Sequence, residues 1–236
     1  MSRSAILPQL QANQVDNRSA AETVADALRR GILRGQIEGG ERLRQDHIAS
    51  QFGVSQMIVR EAFKQLGSEG FLVFEPRRGV SVTPLSVDEA FEMTKLRSLL
   101  EAQALEWAIP NQSKDDIASA AQLLDELDVA TTTDEVIALN AAFHETLYCP
   151  SQRHRTLRLI RAMRLNFERY LRFTWDRMPQ HRAQSQAEHR RLLDLCRNGR
   201  SDEACALLRE HITATGDLLT KSLRLIDRQN SQEQDS

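Results

Sequence analysis

Three histidines stand inward on helical stripes of a 236-residue chain: His144 beside Phe143 and Leu147, His189 in line with Leu193 and Cys196, and His211 in line with Leu207, Ala214 and Leu218. Asn140, four residues before His144, shares its face. Three imidazoles and one oxygen donor aimed into a helical core suit a transition metal with positions left open for water or ligand. Hydrogen-bonded core histidines give the same pattern, and spacing does not show that the helices converge. Arg97 is a second unusual inward residue, on the stripe Ala90, Met93, Leu100, Ala104 and Trp107. A buried guanidinium needs a counter-charge, from Glu101, from another carboxylate or from a bound acid; alternatively the side chain snorkels to the surface. Arg164, beside Ile160 and Phe167, is a weaker candidate for the same role.

A different chemistry is concentrated nearer the N-terminus. Ser55, Gln56 and Arg60 offer hydroxyl, amide and guanidinium groups at the start of one short helix, Arg44 opens the preceding one, and Arg77 and Arg78 sit on a hairpin tip. Such groups read base edges and phosphates, although an Arg next to a Glu on a helix is often only a solvated ion pair.

The elements that must position these residues follow from periodicity and breakers. A mobile polar arm is expected over residues 1–18. Val24, Leu28, Ile32 and Leu33 then define a helix from Ala20 to Gly35. A second fits Gln45 to Phe52, closed by Gly53, and a third starts after an N-cap at Ser55 and carries the apolar stripe Val59, Ala62, Phe63 and Leu66 to about Glu69. Phe71 to Phe74 and Val80 to Val82 read as a two-stranded hairpin across Glu75-Pro76-Arg77-Arg78-Gly79. Helix, helix, turn, helix and basic hairpin make a winged helix-turn-helix over residues 19–84.

From Ser86 onward six helical segments are expected: Val87 to Ala108, Lys114 to Val129, Thr133 to Tyr148, Thr156 to Thr174, His181 to Asn198 and Ser201 to Leu225. Pro110, Pro150, Pro179 and Gly199 break the chain between them. The fold class is mainly α, with an all-α antiparallel bundle over residues 85–227 and a flexible polar tail over 228–236.

Composition narrows the function classes. The chain is 41% hydrophobic and 27% charged, with 10 glycines and 6 prolines, as expected of a helix-rich globular protein. No apolar run approaches the roughly 20 residues that cross a bilayer, and no signal-peptide segment opens the chain, so a cytoplasmic location is expected. Cys149, Cys196 and Cys205 lack paired spacing and read as reduced core thiols. The formal net charge of −2 divides unevenly, with 11 basic and 9 acidic residues up to Thr83 and an acidic remainder. That asymmetry is too small to establish nucleic-acid binding.

The run Gly53-Val54-Ser55-Gln56-Met57-Ile58-Val59-Arg60-Glu61-Ala62, with Gly70-Phe71-Leu72 and Arg77-Arg78-Gly79, resembles the signature of the GntR family of bacterial repressors over about Ala20 to Val82. The resemblance implies that Arg60 contacts DNA and that Gly79 forms the wing tip. Arg, Thr and Pro are usual where this chain has Gln56, Met57 and Ile58, and Gln prefers adenine where Arg prefers guanine. Asn140-Ala141-Ala142-Phe143-His144, then Glu188-His189-Arg190 and His211, is similar to the FCD effector domain of the FadR subfamily over about Val87 to Leu225. This second resemblance implies a divalent metal, often zinc with nickel or manganese as alternatives, held by Asp, His, His and His, with Asn140 here in place of Asp. It also implies an arginine of the first FCD helix, Arg97, on a small carboxylate effector.

The implied protein is a homodimeric regulator, a repressor foremost, that reads a palindromic double-stranded operator and is no enzyme. Two rivals are a metallohydrolase using the same histidines and an architectural DNA-binding protein. His144-Glu145 begins like a zincin motif, but Tyr148 stands where its second histidine belongs.

Overall fold

The computed structural model describes residues 19–175 and 179–234, with side chains placed for 19–172 and 181–225. The expected N-terminal arm, residues 1–18, lies outside the described residues. Contacts divide the chain into two compact units, meeting after Leu85.

In the first unit, α1 (Ala20–Leu33), α2 (Gln45–Phe52) and α3 (Gln56–Ser68) carry a small antiparallel sheet of β1 (Arg42–Leu43), β2 (Leu72–Glu75) and β3 (Gly79–Val82), in the order β1-β3-β2. Ser19 and Glu22 form a capping box on α1, and Ser55 caps α3 by accepting from the Ile58 amide at 3.4 Å. Gly53, at φ 64°, closes α2 in the left-handed region. Val59, Ala62, Phe63 and Leu66 are wholly buried, so the stripe on α3 is the core of this unit.

The expected hairpin is therefore a three-stranded sheet. Its extra strand has only two residues, too few for an alternating pattern to show, and pairs Arg42 with Ser81 and Leu43 with Val80. Phe71 precedes β2 instead of opening it, because its amide donates to the Leu66 carbonyl at 2.9 Å in the turn that ends α3.

The second unit holds α4 (Val87–Ala108), α5 (Lys114–Val129), α6 (Thr133–Tyr148), α7 (His154–Trp175), α8 (Pro179–Arg197) and α9 (Ser201–Gln234). Pro110 and Pro150 lie in short 3-10 turns after α4 and α6. The core includes Leu105, Leu124, Phe143, Leu147, Tyr148, Leu192 and Leu208. Helices α4 and α9 approach closely: a Cβ added at Gly216 would lie 2.2 Å from the Thr94 hydroxyl oxygen, so only glycine fits.

Four details depart from the sequence reading. Helix α9 continues to Gln234, so the polar run from Arg228 is helical; polar composition does not end a helix when its Gln, Glu and Arg residues are good helix formers. Cys149 is exposed, because its 3-10 turn turns it away from the core, whereas Cys196 and Cys205 are buried as expected. Ala214 is exposed and His211 instead shares its buried face with Leu207, Leu208 and Thr215. Trp107 is 38% exposed, at the end of a stripe that drifts off the core over 22 residues.

Candidate functional site

His144 on α6, His189 on α8 and His211 on α9 meet in the core of the second unit. All three are buried, and one ring nitrogen from each lies within 4.8 Å of the others. Phe143, wholly buried, forms one wall, its ring centroid 5.3 Å from that of His144 and 5.0 Å from that of His189.

Hydrogen bonds at the outer nitrogens fix the tautomers. The Tyr148 hydroxyl donates to Glu101 Oε2 at 2.8 Å, so its oxygen accepts from His144 Nδ1–H at 3.0 Å. The Gln186 amide nitrogen donates to Asp128 at 2.8 Å, which turns its carbonyl oxygen toward His189 Nδ1–H at 3.0 Å. His211 Nδ1–H donates to Glu188 Oε2 at 2.7 Å. Each Nδ1 therefore carries a proton, and Nε2 of His144 and of His189 presents a lone pair.

The consequence is electrostatic. Nε2 of His189 and Nε2 of His211 stand 3.3 Å apart, a separation that calls for a proton or a cation between them. Protonation is opposed, since burial foremost, then the charge of Arg164 and the neighbouring imidazoles, hold His144 well below its ordinary value; burial and His211 do the same to His189. A buried set of three imidazoles, each backed by an outer hydrogen bond, is the donor chemistry of a divalent transition metal.

Asn140, 7% exposed, lies beside this cluster and lines a pocket of about 20 Å³ with His144, His211, Arg97, Ser185 and Thr215. Arg97, Asn140 and Leu171 also line an adjoining cavity of about 150 Å³, whose other walls include Ile137, Leu157, Ile160, Phe167 and Arg164.

Both arginines singled out in the sequence reach this cavity, and they share one carboxylate. Arg97 Nε donates to Glu101 Oε1 at 2.7 Å, and its guanidinium lies 4.3 Å from the centroid of the Phe167 ring. Arg164 donates to Glu101 Oε2 at 3.0 Å and to the Asn140 carbonyl at 3.3 Å. Burial alone would raise the Glu101 carboxyl, but the two guanidinium groups outweigh it and hold it below the usual range. Arg161, Glu145 and Glu168 also line the cavity, so its wall carries charge of both signs among apolar side chains.

Tyr148, Gln186 and Glu188 were not among the candidate site residues. Tyr148 was legible only as the residue that spoils a zincin motif, and Glu188 only as a neighbour of His189. A spacing of four on α6 and of three on α8 was the available signal.

In the first unit Gln56, Met57 and Arg60 are exposed on one side of α3, opposite its core stripe, with Met57 70% exposed and Ile58 half-buried. No ion pair among the described residues engages Arg60. Ser55 uses its hydroxyl as the helix cap, which also leaves it at the exposed end of α3. Arg44 pairs with Asp46 at 2.7 Å in solvent, and Arg78 lies 3.9 Å from Glu75. Arg77, at φ 66°, and Gly79, at φ 90°, form the tip between β2 and β3.

Known proteins share both units. Residues 20–82 match the family of bacterial regulatory proteins called gntR, and residues 92–214 match the FCD domain. The chain belongs to the gntR family, in its FCD-containing branch. Among relatives, the HTH-type transcriptional regulator YdhC of Bacillus subtilis (strain 168) is 30% identical over 79% of this chain and 83% of its own. The Nta operon transcriptional regulator of Aminobacter aminovorans is 29% identical over 78% of this chain and 87% of its own. A crystal structure of a GntR-family transcriptional regulator from Pseudomonas syringae is 34% identical, with a TM-score of 0.54 over 87% of this chain and 88% of that one. This gntR-family chain is thus a transcriptional regulator with a winged helix-turn-helix, and no helix among the described residues is long and apolar enough to cross a membrane.

Proposed function

We propose that this regulator is a homodimeric, metal-containing repressor whose operator affinity responds to a small organic acid bound in the cavity beside the histidine cluster. The observation that carries the reading is the pair of inward arginines: Arg97 and Arg164 share the Glu101 carboxylate at the wall of a cavity that also has a broad apolar lining. A carboxylate with an aliphatic or aromatic body would pair with these guanidinium groups and fill the apolar space. His144, His189 and His211 would hold a divalent ion, zinc foremost with nickel or manganese as alternatives, and Asn140 would offer a neutral oxygen. Bound there, a divalent cation supplies positive charge and an open coordination position at the pocket shared by Asn140 and Arg97.

Gln56, Met57, Ile58 and Arg60 would face base edges and phosphates, with Ser55 and Arg44 at the backbone and Arg77, Arg78 and Gly79 carrying the wing to the duplex. Two copies on a two-fold axis imply a palindromic operator. Phe91, Leu96 and Leu99 on α4 and Leu159 on α7 are 53%, 42%, 64% and 52% exposed, apolar side chains that a second copy would cover.

The test is a thermal-shift screen of small carboxylates against zinc-loaded and chelator-treated protein, beside an operator gel-shift and an assay for turnover. Stabilisation by an acid that also releases the operator supports the reading. Stabilisation without any change at the operator, or consumption of the acid, overturns it.

A further inference from the structure

We infer that Tyr148, held by Glu101, is the positioning residue that presents His144 to the metal, and that through Glu101 it ties metal affinity to the state of the arginines in the cavity. The inference rests on the metal reading above and adds a path of control to it.

Consider what each atom of the bridge can do. His144 Nε2 is a ligand only while the ring proton sits on Nδ1, and Nδ1 has one partner, the Tyr148 oxygen at 3.0 Å. A tyrosine hydroxyl alone could face His144 either as donor or as acceptor. Glu101 removes that freedom, because its carboxylate takes the hydroxyl proton at 2.8 Å and leaves only the oxygen's acceptor side for the imidazole. Tyr148 is 1% exposed and Glu101 fully buried, so both hydrogen bonds lie away from bulk solvent.

Glu101 Oε2 is also the oxygen that Arg164 contacts, at 3.0 Å, while Oε1 belongs to Arg97. Whatever draws Arg164 away from Glu101 leaves Oε2 a stronger acceptor for Tyr148. Tyr148 in turn accepts more strongly from His144, and a more strongly polarised Nδ1–H makes Nε2 a better donor to a cation. An acid that engages Arg164 therefore tightens the metal, and by reciprocity the metal tightens the acid.

The test uses zinc alone as the probe. In the metal-free wild type, nitrogen-15 NMR should find His144 as the Nδ1–H tautomer. Tyr148→Phe should lose that preference and weaken zinc roughly 10- to 100-fold in competition with a chromophoric chelator. Arg164→Gln should tighten zinc, and by a larger factor when Tyr148 is intact than when Tyr148→Phe is combined with it, because through-space repulsion acts equally in both backgrounds. An Nε2–H tautomer for His144 in the wild type overturns the positioning role without any variant, as does unchanged zinc affinity in Tyr148→Phe. Equal effects of Arg164→Gln in the two backgrounds overturn the tie to the cavity. Failure of zinc to bind the wild type would instead overturn the metal site itself, and this role with it.

Discussion

At the scale of single residues, position on an element separates binding candidates from ordinary surface charge. Arg60 projects from the exposed side of α3 with no ion-pair partner among the described residues, so Arg60→Ala should leave unfolding unchanged and weaken operator binding by about 1 to 3 kcal/mol. Retained affinity in a gel-shift titration would remove α3 from the DNA interface. Gln56 begins that helix and is equally exposed; Gln56→Arg should move base preference toward guanine at one position per half-site, as read by selection from a randomised operator library. At the proposed metal site Asn140 would offer only a neutral oxygen. Asn140→Asp should tighten zinc, and a titration showing weaker or equal binding would place the fourth donor elsewhere.

Between elements, the bond that matters is the one joining α4 to α7. Glu101 on α4 answers both Arg97, one turn before it, and Arg164 on α7. Glu101→Gln leaves two buried guanidinium groups facing an amide, and should cost about 3 to 5 kcal/mol of folding stability in denaturant unfolding. The pH dependence has a definite sign. A carboxyl depressed in the folded state contributes stability above its unfolded value of about 4.3, and that contribution is lost as pH falls toward the folded value. The gap between wild type and Glu101→Gln should therefore narrow as pH drops below about 4.3; a constant gap would mean that charge is not what Glu101 supplies.

Element order was largely legible because each signal was local. Caps at Ser55, a left-handed glycine at Gly53 and prolines between helices act within a turn or two, and the buried stripe on α3 has the helical period. The inward facing of His144, His189 and His211 was legible for the same reason. What spacing did not contain was the long-range geometry. Tyr148 and Glu101 are 47 positions apart and Arg164 and Glu101 are 63 apart, so neither contact leaves a trace in periodicity. Strand β1 escaped because two residues have no pattern, and the continuation of α9 because polarity was read as an end instead of as a solvated helix.

For the whole molecule, the exposed apolar residues of α4 and α7 are the feature that a single copy does not explain. Leu99→Glu should shift the protein toward monomer in sedimentation and weaken operator binding, while zinc content stays unchanged because Leu99 points away from the histidines. A dimer that persists in this variant would put the two-fold contact on another surface.

The close fit of Gly216 against Thr94 gives the second unit a mechanical character. With no room for even a methyl group between them, α4 and α9 cannot slide past one another, so they move as one bar. His211 rides on that bar five positions before Gly216, and Arg97 lies on it three positions after Thr94. Arg97 and His211 are thereby carried by two helices pinned at one crossing, which keeps the cavity and the histidine cluster in register within this unit.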